Sequence, residues 1–515
     1  MADAVIGVDI GTQSTKAVLV GPGGAILAQA SHAYTPDTPR PNWAEQWPDV
    51  WLGAVEHCLA ELARKADGLT PGVSVRALCV SSLYGGSGIP VDEAGKPLHP
   101  CLIWMDRRAE EQAEWVKSHV DLQRLGAITG NGVDSYYGFT KIMWLRDRQP
   151  DVWARTALFL PPNAYVIHRL TGEVAVDHSS AGNIGGVYDI RARAWSPEAM
   201  AMLGIPARMM PERLVAPADT VGGLLPDVAR RVGLPAGTPV VAGGVDAAVA
   251  TFAAGVKAPG HHVAMLGTSM CWGYITPDAD PAHGLVAMPY VAGQNLYVFG
   301  GAATAGASVS WFREQFCQAE VAEGRATGRD PHAILEQAAT AVAPGADGLL
   351  FLPYLMGERS PVWDAEASGA FVGLNLFHTR AHLYRAVLEG VTLALRHNMQ
   401  AGVQGAASLD ARLVVVGGAA RSDLWMQIIA DTTGFPVWTI QEDVEAALGA
   451  ARLAATGAGL AGPDWEGDWI TLAERAQPDS FRRPRYDTLF ATYAALYPAL
   501  KTTMHTLANL RGPGS

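Results

Sequence analysis

Cysteine is rare in this chain and basic residues are in the minority, and both shortages narrow the functions to consider. Five cysteines are scattered over 515 residues without a Cys-x-x-Cys pair, which predicts reduced thiols and no structural metal centre. Lys and Arg number 38 against 50 Asp and Glu, and the net charge is −12. This balance argues against nucleic acid and anionic membranes as partners.

Long apolar runs are missing as well. No window approaches 18 consecutive apolar residues, so we expect no membrane-spanning segment. The N-terminus has no basic and apolar leader of the secretory kind, and together these features predict a cytoplasmic protein. The P-loop motif Gly-x4-Gly-Lys-Ser/Thr and the hydrolase motif Gly-x-Ser-x-Gly are not evident either.

What the chain does contain is enough apolar material for two domains. Its length exceeds what one hydrophobic core usually holds, and 49% of its residues are hydrophobic. Gly and Pro accumulate at residues 255–261, so we expect an N-terminal domain over residues 1–254, a C-terminal domain over 255–511 and a flexible tail over 512–515. Three antiparallel strands followed by alternating helices and strands predict a mixed α/β sheet.

A strand, a Gly-Thr turn and a second strand occur twice. Residues 8–16 have the sequence VDIGTQSTK, and residues 262–276 have the sequence HVAMLGTSMCWGYIT. The N–H groups and hydroxyls of such a turn can hold phosphate oxygens, while a carboxylate at the strand end, Asp9, faces Mg²⁺. Either turn alone is also typical of a plain hairpin. Two of them in separate domains predict related halves that close on one nucleotide.

Asp246 is the strongest candidate for a catalytic residue. It follows the pair Gly243 and Gly244 at the end of a predicted strand and begins a helix at the junction of the two domains. A phosphotransferase needs a carboxylate near the acceptor hydroxyl to take its proton. Because Asp is common at helix starts, a plain N-cap is the alternative that its position leaves open.

Aromatic and polar side chains in two segments are candidates for binding a small polar substrate. Tyr84 and Gly85 follow one predicted strand, and Trp104 and Asp106 follow another. An aromatic face beside a carboxylate suits a polyol. The alternatives are that Trp104 belongs to the core and that Asp106 pairs with a neighbouring arginine.

Several other segments have a structural interpretation. The run GGAARS at residues 417–422 and the segment at 306–308 would let the backbone pass close to a nucleoside, or are merely tightly packed turns. Residues 446–451 are small on all sides and suit close helix contact between domains. The fourteen histidines form no ligand-spaced cluster, and we expect His261 and His262 to be a surface pair at a strand start.

These segments, in this order, resemble the FGGY family of carbohydrate kinases, most closely its xylulokinase-like branch, from residue 5 to about residue 455. The most specific match is GAFVGLNLFHTRAHLYRAVLE at residues 369–389, which fits the second signature of the family. FLPYLMGERSP at 351–361 resembles the preceding family segment, and RPNWAEQWPDVW at 40–51 resembles an early xylulokinase motif.

The resemblance implies two ribonuclease-H-like domains of the actin, hexokinase and Hsp70 group with a cleft between them. It also implies ATP-dependent phosphorylation of a hydroxyl on a small sugar or polyol, most directly a ketopentose. By position, Asp246 would be the general base and contact the substrate, and Asp9 would bind Mg²⁺. The residues that would surround the ATP phosphates and nucleoside are Gly11, Thr12, Gln13, Lys16, Gly267, Thr268, Gly306, Gly418 and Ser422.

Two departures from the xylulokinase pattern concern the sugar. The Gln-Met-His-Gly stretch of that branch is Leu-Tyr-Gly-Gly at residues 83–86, and the residue after the base, usually Asn, is Ala247. These changes predict an acceptor that is smaller, deoxy or differently configured than D-xylulose. Two other functions stay open at this point, an actin- or Hsp70-like nucleotide switch and a sugar-binding homologue without catalysis. A homodimer is a further expectation, since similar kinases commonly form one.

Overall fold

Two mixed β-sheets with the same pairing pattern organise the chain. The structure is a computed structural model and describes residues 2–69, 72–278, 284–403, 408–440, 446–460, 467 and 469–510. In spatial order, the strands of the first sheet are Thr220–Gly223, Pro239–Val241, Val73–Ser82, Ala2–Ile10, Ser14–Val20 and Ile26–Ala33. Those of the second sheet are Val286–Pro289, Leu296–Ala302, Met270–Thr276, His262–Leu266, Leu413–Val416, Val437–Ile440 and Leu472–Ala476.

The two sheets repeat one topology. In the first sheet, three consecutive strands pair antiparallel, and the first of them then pairs in parallel with Val73–Ser82. In the second sheet, His262–Leu266 takes the corresponding place, antiparallel to its hairpin partner and parallel to Leu413–Val416. Each sheet ends with one further parallel and one antiparallel pairing. The mixed α/β sheet predicted from the sequence is therefore confirmed and occurs twice.

Helices and short strand pairs fill the remaining chain. The helices are Pro48–Asp67, Glu110–His119, Leu122–Thr129, Gly138–Arg148, Pro150–Arg155, Pro162–Thr171, His178–Asn183, Pro197–Leu203, Pro226–Val232, Asp246–Ala253, Gly306–Phe316, Gln318–Thr327, Pro331–Thr340, Arg380–Val403, Asp423–Thr433, Ala446–Gly457 and Arg483–Leu510. The short strands are Glu45–Gln46, Ile89–Val91, Cys101–Leu102, Leu158–Leu160, Val176–Asp177, Tyr188–Asp189, Ala194–Trp195, Leu214–Val215, Leu350–Leu352 and Ala370–Val372.

The strand before Asp246 is shorter than predicted. The apolar run at 239–245 favours a strand over its whole length, but the strand ends at Val241. Gly243 has a φ of 71°, and a Cβ added there would lie 2.0 Å from the carbonyl oxygen of Val80. The chain therefore turns tightly against the neighbouring strand before it enters the helix that Asp246 begins.

Helix Ala446–Gly457 joins the two halves by packing on the first sheet. It contacts the strands Ala2–Ile10 and Val73–Ser82 and the helix Asp246–Ala253. An added Cβ at Gly7 would lie 1.9 Å from the carbonyl oxygen of Ala447. The contact is thus backbone against backbone, which small side chains on both surfaces permit, and the predicted close packing of this segment is confirmed.

We expect Gly7→Ala to lower the free energy of unfolding by about 1–3 kcal/mol, because the new methyl group overlaps a backbone oxygen that no rotamer change can move. Gly53→Ala is the matched control, since Gly53 lies on the exposed face of helix Pro48–Asp67 with nothing within 4 Å of an added Cβ. This control should raise stability by up to about 1 kcal/mol. Thermal and urea unfolding of both variants measures the difference, and equal effects would contradict the packing described.

His262 is buried, so the expectation of a surface histidine pair was wrong for this residue. Its Nδ1 accepts a hydrogen bond from Trp272 Nε1 at 3.3 Å, and its Nε2 lies 3.2 Å from the carbonyl oxygen of Asp410. A neutral ring with its proton on Nε2 satisfies both contacts. Burial lowers the pKa of His262 to about 4 from its ordinary value of 6.5. The identity of two adjacent histidines at a strand start did not reveal which one faces the core.

The low pKa of His262 predicts a stability loss in acid. Between pH 6.5 and 4 the unfolded chain binds a proton at this residue that the folded chain does not, so the stabilisation is complete above pH 6.5 and decreases as the pH falls. At pH 5 we expect a loss of about 2 kcal/mol relative to pH 7.5 from this residue. Urea unfolding across this range should show a smaller loss for His262→Gln, and parallel curves for both proteins would refute the assignment.

Candidate active site

One cavity of about 480 Å³ brings both hairpins together with Asp246. Residues from both halves of the chain line it, namely Asp9, Gly11, Ser14, Lys16, Asp246, Ala247, Ala250, Met265, Gly267, Thr268, Ser269, Cys271 and Ala446. Two segments some 250 residues apart in the sequence therefore meet at one carboxylate. The proximity predicted from the sequence is observed, while the ligand contacts of these residues stay predictions.

The first hairpin holds Asp9 at the mouth of its turn. Asp9 pairs with Lys16 in the antiparallel register, and Gly11 N donates to Ser14 O at 2.9 Å to close the turn. Ser81, from the adjacent parallel strand, donates its hydroxyl to Asp9 Oδ1 at 2.9 Å. The strand order of the sheet thus orients this carboxylate toward the cavity.

The second turn is packed against the start of helix Gly306–Phe316. Gly306 N donates to Gly267 O at 2.8 Å, and Ala307 N donates to Thr268 O at 3.0 Å. An added Cβ at Gly306 would lie only 2.6 Å from Gly267 O, so glycine alone fits there. This arrangement brings the partly positive N-terminus of the helix next to the second Gly-Thr turn, a position that favours an anion.

The glycine-rich turn after strand Leu413–Val416 lies at the same edge of the second sheet. Gly417 has a φ of 95°, and an added Cβ would lie 2.6 Å from the carbonyl oxygen of Leu266. Gly418 is exposed. Ser422 accepts from Trp425 N at 3.0 Å as a helix N-cap and donates to Glu336 at 2.8 Å. Nucleoside contact by Gly306, Gly418 and Ser422 stays a prediction.

The carboxylate of Asp246 does not cap its helix. It is the first helical residue, and the helix start has no side-chain cap hydrogen bond. Its Oδ1 accepts from the N–H of Ala247 at 2.6 Å. Burial raises the pKa of Asp246 well above its usual range, and the charge of Asp9 raises it further. The plain N-cap alternative therefore does not describe this residue.

The two carboxylates make this cavity suitable for a divalent cation. Asp9 and Asp246 are close enough for the charge of one to raise the pKa of the other, a repulsion that a cation would relieve. Their hard oxygens suit Mg²⁺, which binds through one or two carboxylates together with waters and phosphate oxygens. Across the described ranges no group of three or more His, Cys, Asp or Glu could hold a metal ion.

Trp104 connects the predicted acceptor side with the first turn. It is half-buried, and its Nε1 donates to Thr12 Oγ1 at 3.0 Å. Gln13 is exposed at the tip of the same turn. Neither Thr12 nor Gln13 is among the residues that line the 480 Å³ cavity, so their contact with phosphate stays a prediction.

The other three residues predicted to bind the acceptor lie inside the protein. Tyr84, Gly85 and Asp106 are all buried, and the Tyr84 hydroxyl accepts a hydrogen bond from the N–H of Gly138. The Asp106 carboxylate accepts from Ala44 N at 2.7 Å and from Arg108 Nε at 2.8 Å. The pairing of Asp106 with a neighbouring arginine is thus observed, and substrate contact by these three residues stays a prediction.

Tyr136 and Arg359 belong to this region but were not singled out from the sequence. The ring of Tyr136 lies 5.0 Å from that of Tyr84. Burial raises the pKa of Tyr136, Arg359 opposes this shift, and Asp246 adds to it. Tyr136 is therefore near both Arg359 and Asp246. Tyr136 is uncharged and lies just before helix Gly138–Arg148 in no motif that the sequence reveals. Arg359 belongs to the FLPYLMGERSP segment, which by itself indicates only a family resemblance.

Two copies of one topology around a cavity with paired carboxylates define a nucleotide-binding protein of the actin and sugar-kinase class. The model of the FGGY family of carbohydrate kinases, N-terminal domain, matches residues 4–253, and that of the C-terminal domain matches residues 262–458. The chain belongs to the FGGY family of carbohydrate kinases. The gap between the two matches spans the predicted domain boundary, although the bounds 1–254 and 255–511 stay a prediction.

Relatives of known activity match over nearly the whole chain. The gluconokinase of Bacillus licheniformis is 30% identical, covering 99% of this chain and 98% of its own length. The xylulose kinase of Bacillus subtilis (strain 168) is 30% identical, covering 98% and 99%. The crystal structure of xylulose kinase from Rhodospirillum rubrum has a TM-score of 0.85 and 31% identity, covering 98% of this chain and 100% of that one.

These similarities confirm the two-domain fold and the enzyme class predicted from the sequence, an ATP-dependent carbohydrate kinase. They do not favour the nucleotide-switch or inactive-homologue alternatives. In the part of the chain that the structure describes, no helix combines the length and the hydropathy of a membrane span.

We expect Asp106→Asn to lower the free energy of unfolding by about 3 kcal/mol, because the Arg108 side chain, only 2% exposed, then loses one of its two carboxylate partners. Asp227→Asn is the control, since Asp227 pairs with Arg231 in solvent and its loss should change stability far less. Thermal unfolding measures both, and the acceptor KM of folded Asp106→Asn shows in addition whether this carboxylate contacts substrate. Equal stability of the two variants would contradict the buried pairing.

Proposed function

We propose that this kinase transfers the γ-phosphate of ATP to a terminal hydroxyl of a small sugar or polyol, with Asp246 as the general base. The observation that carries this proposal is the single cavity shared by Asp9, Asp246 and both Gly-Thr turns. A ketopentose is the acceptor class that the sequence predicts, and the relatives named xylulose kinase support it.

Asp246 has the properties that a base for an alcohol requires. It faces a cavity and does not cap its helix, and its pKa lies well above that of an ordinary aspartate. A base works best when its pKa is near the operating pH, so this shift favours proton transfer from a bound hydroxyl. The oxygen that loses its proton then attacks the terminal phosphorus in line.

The first turn would hold the phosphates through Gly11, Thr12, Gln13 and Lys16, and Asp9 would bind Mg²⁺, partly through water. The ion would neutralise charge on the phosphoryl group in transfer. Gly267 and Thr268 of the second turn would complete the phosphate site. Gly306, Gly418 and Ser422 are proposed for the nucleoside, because their segments meet at one edge of the second sheet.

Tyr84, Gly85, Trp104 and Asp106 are proposed for the acceptor side. Trp104 is supported best, because its indole lies beside the first turn through its bond to Thr12. The other three would act by shaping the pocket, as their burial suggests.

We also propose a cytoplasmic location and a homodimer. Size-exclusion chromatography with light scattering tests the homodimer.

A coupled ADP-release screen identifies the acceptor. It should cover ketopentoses, ketotetroses, glycerol, C4–C5 polyols and, because gluconokinases are relatives, sugar acids. We expect at least one acceptor to raise ATP turnover and to give a phosphorylated product by mass spectrometry. ATP turnover that no acceptor changes would support the nucleotide switch, and acceptor binding without product would support an inactive homologue.

Asp246→Ala should lower kcat by roughly 10²–10⁴, the usual share of a positioned base, while ADP affinity stays largely intact. Asp227→Ala is the control, because Asp227 also lies in the first turn of a helix but is exposed and paired with Arg231. Steady-state kinetics and calorimetry with ADP measure both variants. Near-normal phosphorylation by Asp246→Ala would refute its role as the base.

A further inference from the structure

Arg359 is held at the end of the second hairpin by the backbone. Its Nη2 donates to the carbonyl oxygens of Met270 at 3.1 Å and Ala302 at 3.0 Å. Met270 directly follows the Gly-Thr-Ser turn that lines the cavity. The two bonds therefore fix the guanidinium close to the proposed phosphate site.

The guanidinium also faces the first half of the chain. Its central carbon lies 5.6 Å from the ring centroid of Trp104, whose Nε1 donates to Thr12 of the first turn. The charges of Arg359 and Asp246 both act on the hydroxyl of Tyr136 and on the thiol of Cys271, with opposite signs. Arg359 does not line the 480 Å³ cavity itself, but it and Asp246 both lie near Cys271, which does.

No carboxylate of the described residues lies within 4.0 Å of this guanidinium, and its Nε is buried without a hydrogen-bond partner among them. Two other arginines with buried side chains do have a carboxylate partner: Arg108 pairs with Asp106, and Arg385 pairs with Glu389. The charge of Arg359 opposes the burial that raises the pKa of the neighbouring Glu358, but Glu358 Oε1 accepts from the N–H groups of Ala303 and Arg359 and not from the guanidinium. Arg359 is half-buried, and a partly desolvated cation without an anion is unfavourable unless a ligand supplies the anion.

We propose that Arg359 is an oxyanion-recognition residue of the acceptor site. Its planar fork suits carboxylate or phosphoryl oxygens, to which it can donate two hydrogen bonds at once. Two sources of such oxygens would reach this position, a carboxylate carried by the acceptor or the phosphoryl group passing to it. The inference rests on the proposed kinase function and adds a specificity-determining residue to it.

The test compares Arg359→Met with the wild type on the best neutral and the best acidic acceptor of the screen. We expect kcat/KM to fall by about 30-fold or more, the effect of losing a charge-assisted pair of hydrogen bonds. A loss confined to the acidic acceptor, mainly in KM, identifies its carboxylate as the ligand. An equal loss for both acceptors, mainly in kcat, identifies the phosphoryl group. If the screen yields no acidic acceptor, the neutral one tests the second source alone.

Arg396→Met is the matched control. Arg396 lies 4.6 Å from the ring of Phe490 in the same half of the chain but pairs with Asp487, so its loss should change kcat/KM by less than about 2-fold. Because Arg359→Met leaves two carbonyl oxygens short of a donor, ADP affinity and thermal unfolding are measured in parallel. Arg359→Lys keeps the positive charge but loses the planar pair of N–H donors, so its kcat/KM should lie between those of Arg359→Met and the wild type.

Unchanged kinetics of folded Arg359→Met, within about 3-fold for both acceptors, would overturn the proposal. Calorimetry with inorganic phosphate and with gluconate adds a readout that needs no turnover, and equal binding by wild type and variant would overturn it as well. Failure of the kinase function has a different signature, since no acceptor would then be phosphorylated and Asp246→Ala would change nothing.

Discussion

Backbone-to-backbone packing of helix Ala446–Gly457 on the first sheet is the contact on which the site depends. Gly7 and Gly449 have no room for a side chain, because an added Cβ would lie 1.9 Å from Ala447 O and 2.2 Å from Val249 O respectively. A helix from the second half therefore packs directly on the strand Ala2–Ile10, which contains Asp9, and on the helix that begins at Asp246. Apolar residues of both halves, among them Val5, Val249 and Ala451, form one continuous buried cluster around this contact.

This packing has an electrostatic consequence. It brings two carboxylates to one open cavity, where burial and mutual repulsion raise the pKa of Asp246. Such an arrangement is unfavourable for stability, because two like charges share a site of reduced solvation. Under the proposed function, a cation in this space would relieve the repulsion. Repulsion between two poorly solvated carboxylates is more typical of functional sites than of purely structural clusters.

Much of the site could be predicted because its parts are local. Neighbouring residues set the conformation of a strand-turn-strand hairpin. Both hairpins therefore follow from the sequence of residues 8–16 and 262–276 alone. Helix Pro48–Asp67 follows in the same way from its apolar spacing and the proline at its start, and helix Asp423–Thr433 begins after the N-cap Ser422. Asp246 was harder, since its position alone also fitted an N-cap, and only the structure shows that its helix start has no side-chain cap hydrogen bond.

Residues whose role depends on distant neighbours were missed or misjudged. His262 is buried because its ring accepts from Trp272 Nε1 and lies against the carbonyl oxygen of Asp410, 148 residues away. Tyr136 and Arg359 come from segments more than 200 residues apart, and no spacing rule relates them. Their common feature is position in space relative to Asp246.

The order of residues along the chain was therefore sufficient for the two hairpins, the mixed sheets, the family and the acidic residue at the domain junction. Each of these follows from contacts between near neighbours or from motifs that a short window contains. Folding in three dimensions was needed to establish which side chains face the cavity, which are enclosed by partners, and where an arginine lacks a carboxylate. Those properties arise from packing and desolvation between remote segments, and neither is encoded in any short stretch of sequence.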